Sequence, residues 1–376
     1  MNHWKCSVTI LAVLAALAGC KQPEPEPLAD FLVRPETAVD MGYRIQWQRS
    51  LGLPKGVQLK YVKAYGDVIV ALETDNILTV IRSEDGEVIY REAVGEPGDR
   101  IREPARSGDV IVLSTDTVAY VMPVTRAEPP VVVELGAVVN TAPVLDRNIA
   151  VYGTPTGRVL SVDLARGFSP WGYDMGASIT TDPVNADGIV VVADNAGHVA
   201  AFNPLRGALL WKQDTFETIT AHPAYSERQV YVASEDQALY CFDRASGEEL
   251  WKYLTESPLT TSPTVVDGRV YQYVETEGLV ALDTYTGEKV WTLDLKGRPL
   301  MTRNNQLVIH VPGRYVEQDG NERLLAERLL TVDPASGETI EESWLPRVQE
   351  IRTDRAENGN LYLIRRDGRI MKLSPQ

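Results

Sequence analysis

Cysteine is scarce in this chain. There are three in 376 residues, at positions 6, 20 and 241, and no two are adjacent. That excludes a disulfide-stapled scaffold, which needs closely spaced pairs in a short chain. Histidine is nearly as sparse. His3, His198, His222 and His310 never fall at the His-x-x-x-His spacing that would aim two imidazoles at one metal. There is no Gly-rich phosphate loop and no Gly-x-Ser-x-Gly elbow for a nucleophilic serine. Lys and Arg form no cluster and the net charge is -15, which argues against a nucleic-acid partner, since phosphate neutralisation needs grouped cations. Beyond the first twenty residues no apolar run keeps the i, i+3, i+4 period of an amphipathic helix.

What is present instead is a repeat. Trp171, Trp211, Trp251 and Trp291 recur at a constant interval of 40 residues. Each closes a similar phrase, of which Phe242-Asp243-Arg-Ala-Ser-Gly247-Glu-Glu-Leu-Trp251 and Leu282-Asp283-Thr-Tyr-Thr-Gly287-Glu-Lys-Val-Trp291 are typical. An apolar strand enters Asp or Asn, turns through Gly, and leaves as a strand that ends in Trp. The best copy predicts further strands at 261–266, 269–274 and 278–282, then the closing strand at 289–293, separated by Asp267-Gly268, Glu277-Gly278 and Thr286-Gly287. Such Gly-containing pairs suit tight hairpins. Four short strands per ~40 residues is the pattern of a β-propeller blade.

Degenerate copies at Asp85–Tyr90, Val131–Leu135 and Asp333–Glu341 extend the count. The last unit, 351–373, has three strands and no closing Trp; the first, 43–50, is a closing strand with Trp47 and nothing before it. The two ends complete one blade between them. The expected fold is therefore all-β: an eight-bladed propeller of four-stranded antiparallel blades, its ring closed by the N-terminal strand completing the C-terminal blade. Prolines at 104, 143, 183, 223 and 263 mark the first strand of successive units, which would line the channel as an edge where a missing N–H costs nothing. The residues before them, Glu103, Ala142, Asp182, His222 and Ser262, then occupy equivalent places and make a candidate channel-mouth ring. A charged excursion, 312–328, interrupts the seventh unit and is expected to be a projecting hairpin and a contact arm. Cys241 alternates with Tyr240 and Phe242 on a strand and reads as a small buried hydrophobe; His198, in Asn195-Ala-Gly197-His198, reads as a solvated turn residue.

The first twenty residues lie outside the repeat. Lys5 precedes an apolar stretch, 8–18, too short to span a bilayer and suited to a signal-peptide core. It runs into Leu17-Ala18-Gly19-Cys20, which resembles the bacterial lipobox. The resemblance implies cleavage before Cys20 and lipidation (palmitate) of that residue, leaving Cys241 without a disulfide partner. Lys21-Gln-Pro-Glu-Pro-Glu-Pro27 favours extended polyproline II and would act as a spacer reaching on the order of 20 Å. The expected organisation is a signal peptide over 1–19, a lipidated linker over 20–42 and the propeller over 43–376. Lys after the lipidated Cys favours outer-membrane sorting by the enterobacterial pattern.

The phrase Ala281-Leu-Asp283-Thr-Tyr-Thr286-Gly287-Glu-Lys-Val-Trp291 resembles the docking motif of quinoprotein-type, or PQQ-like, propellers. This implies that Trp47, Trp171, Trp211, Trp251 and Trp291 pack between neighbouring blades. Quinoprotein dehydrogenases of that kind carry a vicinal Cys pair and a Ca²⁺ site; this chain has no adjacent cysteines, so no cofactor, no metal and no catalytic residue are expected. Signal, lipobox, Pro-rich spacer and eight such blades together resemble the BamB family, the lipoprotein subunit of the outer-membrane β-barrel assembly machinery. The resemblance implies a monomeric, non-enzymatic scaffold facing the periplasm, bound to the assembly complex and guiding nascent outer-membrane proteins. Family contacts lie on connectors before the fourth and fifth blades, one with a Leu/Arg cluster and one with an acidic pair. Here those stretches are 174–180 and 215–220, where Ser178 stands near the place of the Arg and Thr218 and Thr220 in place of the acidic pair; Ser178, Thr180, Thr218 and Thr220 are the candidate partner-contact residues. Two readings stay open: an assembly scaffold with a rebuilt contact, or another envelope propeller binding a peptide, glycan or small molecule at the channel mouth.

Overall fold

The computed structural model describes residues 31–125, 129–313, 315–318, 321–324, 326–354 and 359–376. The signal peptide, the lipobox and the Pro/Glu spacer therefore lie outside the described residues. Eight antiparallel sheets of four strands follow one another along the chain. Blade 6 shows the repeat plainly, with strands Thr264–Val266, Arg269–Val274, Gly278–Asp283 and Lys289–Leu293 in simple order. First strands of neighbouring blades touch between blades 2 and 3, 3 and 4, 5 and 6, 6 and 7, and 8 and 1, which places these strands on the inner ring.

Apart from Val118–Pro123 in blade 2, the two middle strands of the blades are buried over most of their length on both faces. Val68–Glu73 and Ile149–Gly153 are buried at every position, which is why they read as continuous apolar runs. Outer strands alternate, as in Leu209–Asp214, because one side meets a neighbouring blade and the other meets water. The core is thus a series of seams. One seam joins Ala201 and Trp211 of blade 4 to Val230, Tyr240 and Phe242 of blade 5. Another joins Tyr271 and Trp291 of blade 6 to Leu307, Ile309 and Leu330 of blade 7.

Closure is as expected. Tyr43–Ser50 pairs antiparallel with Arg369–Pro375, so the N-terminal strand is the fourth strand of blade 8. The seam to blade 1 then packs Trp47, Tyr362 and Ile370 against Val62, Ile69 and Ile81. Residues 32–42, assigned to the linker on sequence grounds, lead into this strand through a short helix, Pro35–Asp40. Leu32, Val33, Ala38 and Met41 are buried there, and the Leu32 N–H donates to Gln48 Oε1 at 2.8 Å.

One expectation shifts. The repeat prolines do not lie within the first strands but one residue ahead of them: the strands begin at Ala105, Val144, Val184, Ala224 and Thr264. These strands are only two or three residues long, and a residue without an N–H cannot add a rung at their entry. The excursion in blade 7 folds as a separate hairpin, Tyr315–Gln318 with Asn321–Leu324, between the second and third strands of that blade.

Candidate partner-contact face

Each blade hands the chain to the next through a connector that runs from its outer strand to the next inner strand. The connectors before blades 4 and 5 share one geometry. Ile179 and Ile219 are fully buried and pin their middles. On either side the backbone is tied down in the same way. Asn195 N–H donates to the Ser178 carbonyl at 2.9 Å, and Glu235 N–H donates to the Thr218 carbonyl at 3.0 Å. Thr180 donates its hydroxyl to Asn195 Oδ1 at 2.7 Å, and Thr220 donates to Glu235 Oε1 at 3.0 Å. Ser178, Thr180, Thr218 and Thr220 thus occupy matching positions, 40 residues apart in pairs, and their polar groups brace the adjacent hairpins.

Between them stands a residue that sequence reasoning passed over. Phe216 is 82% exposed, and its N–H donates to Asp236 Oδ2 at 2.9 Å. The Lys252 ammonium lies 5.9 Å from its ring and 5.5 Å from the Tyr240 ring. Leu254, two residues along the same strand as Lys252 and on the same face, is 67% exposed. The repeat supplies an internal control. Positions equivalent to Phe216 hold Gly136, Gly176, Glu256 and Lys296; positions equivalent to Leu254 hold Glu134, Asp174, Asp214 and Asp294. Within this run of repeats a large apolar side chain stands at the first position only at Phe216 and at the second only at Leu254, one repeat further on, and both are exposed. The signal was available in the sequence, in the alignment of the repeats with one another.

The candidate ring residues meet end to end. Ala142 N–H donates to Asp182 Oδ1 at 2.7 Å, Asp182 N–H donates to His222 Nδ1 at 2.9 Å, and His222 N–H donates to Ser262 Oγ at 2.9 Å. Glu103 pairs instead with Lys63 at 3.4 Å. Burial raises the Asp182 carboxyl above its ordinary range, opposed by His222 and by the Ala142 N–H.

The docking tryptophans each donate Nε1–H to a carbonyl in the next blade: Trp171 to Pro204 at 2.7 Å, Trp211 to Arg244 at 2.8 Å, Trp251 to Thr284 and Trp291 to Pro334 at 2.9 Å, and Trp47 to Ser83 at 3.0 Å. The receiving surface is a glycine. A Cβ on Gly247 would sit 2.6 Å from the Trp211 ring, and its φ of +75° is one that L side chains rarely adopt. The Asp of the same phrase shapes this turn: Asp243 Oδ1 accepts the N–H groups of Ala245 and Ser246 and the Ser246 hydroxyl.

Other polar groups are structurally engaged. His198 is not a free turn residue; it opens a strand, and its Nδ1 lies 2.7 Å from Oδ2 of the fully buried Asp194. Cys241 is fully buried, and burial pushes its thiol pKa up, away from thiolate chemistry. Among the described residues no group of three or more His, Cys, Asp or Glu could hold a metal ion.

Comparison with known proteins adds two kinds of likeness. A family model described as "Outer membrane protein assembly factor BamB" matches residues 125–215 and 195–359. Among solved structures, the computationally designed Ika8 protein superposes with a TM-score of 0.66 at 17% identity, covering 86% of this chain and 98% of its own. BamB from Moraxella catarrhalis superposes with a TM-score of 0.64 at 18% identity, covering 87% of this chain and 97% of its own. No curated protein matches. At these identities the superpositions speak for the fold, and a designed protein that shares it shows how little the fold says of function.

Proposed function

Because the chain belongs to the family of the outer membrane protein assembly factor BamB, we propose that it is a non-enzymatic scaffold that supports β-barrel assembly through protein–protein contacts. Membership associates it broadly with the outer membrane, its periplasmic side and the assembly complex. The finer picture is ours: a signal peptide over 1–19, a lipid on Cys20, a linker over 20–42 that is free as a tether only up to Leu32, where the chain becomes buried, and a propeller over 43–376 that reaches the barrel-forming subunit and nascent barrel strands.

The observation that carries this reading is Phe216 with Leu254 on the connector face. The residues at the family's contact positions, Ser178, Thr180, Thr218 and Thr220, are turned to bracing neighbouring hairpins. An exposed aromatic and an exposed leucine next to them supply the desolvatable anchor that hot spots use, with Lys252 at its edge. The contact is thus apolar where a charged one was expected from the resemblance. Asp182, His222 and Ser262 spend hydrogen-bonding capacity on one another's backbones, which favours a bracing role for the ring over a ligand site. The test is co-purification of the lipidated protein from its own envelope, with the wild type and with Phe216→Ala/Leu254→Asp. Enrichment of the barrel-assembly subunit by the wild type and its loss in the double variant is expected. Failure of the wild type to enrich that subunit overturns the scaffold reading; enrichment unaffected by the double variant moves the contact elsewhere.

A further inference from the structure

At the inner ends of blades 3 to 5, the residue before each repeat proline gives its N–H to a side chain one blade further on. Asp182, His222 and Ser262 supply the acceptors in turn. A hydroxyl accepts at any pH, and a carboxylate accepts whether or not it is charged. An imidazole nitrogen accepts only while it carries no proton. The link from Asp182 N–H to His222 Nδ1, at 2.9 Å, therefore requires a neutral ring with its proton on Nε2. The same Nδ1 lies 3.4 Å from the Asp182 carbonyl oxygen. One ring atom thus faces both a donor and an acceptor of the same residue, and its proton decides which of the two it can bind.

We propose that His222 is a proton-operated switch in the channel-mouth ring: neutral, it ties the connectors of blades 4 and 5 by accepting the Asp182 N–H; charged, it releases that N–H and donates to the oxygens of Asp182. His222 is exposed, so a proton reaches its imidazole without unfolding. From the connector before blade 4 the facing group is the Asp182 carboxyl, which burial raises and the charge of His222 opposes. From the connector before blade 6 the facing group is Ser262, uncharged, which holds the His222 N–H in either state. Glu103 of the second blade's connector and Lys63 of the first blade act on Asp182 with opposite sign. The Asp182 peptide ends the connector that carries Ser178 and Thr180, so the switch bears on the contact face itself.

The experiment follows the Asp182 backbone amide in the ¹⁵N-labelled full chain from about pH 8 to about pH 5, the range of an ordinary imidazole, by chemical shift and hydrogen exchange. The Asp182 amide and the His222 ring nitrogens are expected to move with one midpoint. Protection of that amide should fall about fivefold, the loss of one net hydrogen bond. His222→Gln offers an amide oxygen that accepts without titrating, and should leave the Asp182 amide flat across the range. Asp182→Asn keeps an acceptor for Ala142 and removes the neighbouring charge; the transition should persist in it. An Asp182 amide that stays constant while the His222 ring titrates overturns the switch. So does a transition retained in His222→Gln, which would assign the change to the Asp182 carboxylate.

Discussion

The seams between blades 3 and 7 and the seam that joins blade 7 to the closing blade 8 are built differently. In the first group, Trp171, Trp211, Trp251 and Trp291 each lie over a glycine of the next blade and donate to a carbonyl beside it. At the closing seam the equivalent position, the last pair before the bulge of the outer strand, holds Glu341. There Arg303 does the joining. It donates to the carbonyls of Gly42 and Met41, each at 2.9 Å, and lies 4.1 Å over the Tyr43 ring. Arg298 adds a bond to the Ile351 carbonyl at 3.1 Å. A seam inside the repeat can reuse one apolar device, because the receiving Asp-x-x-x-Gly turn recurs with it. A seam at the chain ends has no such continuous turn to receive an indole, and a long, multiply donating cation reaches the carbonyls of the N-terminal segment instead.

Removing Tyr43–Ser50 should have the largest effect on this contrast. It strips blade 8 of its outer strand and, by removing Trp47, empties that indole's seat on Gly86 and the Ser83 carbonyl of blade 1, and cooperative melting is expected to disappear; a cooperative melt as high as that of the intact chain would mean that the ring does not depend on this pairing. Next in size, Trp251→Ala should cost roughly 3–5 kcal/mol, as removal of a large packed aromatic does, read as a shift in the denaturant midpoint. Gly287→Val should act on the same seam from the other side, since a Cβ there would lie 2.6 Å from the Trp251 ring at φ +71°. Arg303→Met should cost less, about 1.5–3 kcal/mol, the range for bonds to a charged donor. If Arg303→Met proved the costlier of the two, the closing seam would be the stronger one and the ranking would reverse.

Acid titration sharpens the comparison from the turn side. The N–H and hydroxyl of Ser246, with the N–H of Ala245, hold the Asp243 carboxyl below the ordinary range, and the N–H groups of Ser336 and Ala335 do the same for Asp333. A carboxyl depressed by folding contributes stability that is complete above its unfolded value, about pH 4, and is lost as pH falls through the folded value. Melting temperature should therefore decline below about pH 4. Asp243→Asn, which keeps the acceptor oxygen without the charge, should flatten part of that decline. The smallest expected effect on stability is at Phe216: Phe216→Ala should leave the melt within about 0.5 kcal/mol, as exposed positions do. A larger loss would show that the ring packs and is not a contact anchor.

Much of this was readable from periodicity. The interval of 40 residues, the Asp-x-x-x-Gly phrase and two half-units at the ends required a closed ring of four-stranded blades. Less readable was anything that depends on where one blade meets the next. The prolines marked the right places, but that they stand one residue outside the strands follows from ladder geometry. Leu32, Val33 and Met41 read as linker although they are buried, because the groups they meet are distant in sequence: Leu32 N–H bonds Gln48 of the closing blade and the Met41 carbonyl accepts from Arg303 of blade 7. Phe216 was passed over because a single exposed aromatic is ordinary in one repeat and stands out only beside its equivalents.

The sequence by itself determined the local units: short strands bounded by turn residues, a Trp and a Gly spaced to meet, and an order that leaves one strand at each end wanting a partner. These are set by side-chain alternation and backbone dihedral preference, which act over a few residues. Only the tertiary structure decided which groups become neighbours around the axis: Asp182 with His222, Arg303 with Gly42, Lys252 with Phe216. Those pairs are separated by 36 residues or more. They come together because stacking the blades buries their apolar faces, and no local preference in the chain encodes the distance at which the polar groups then meet.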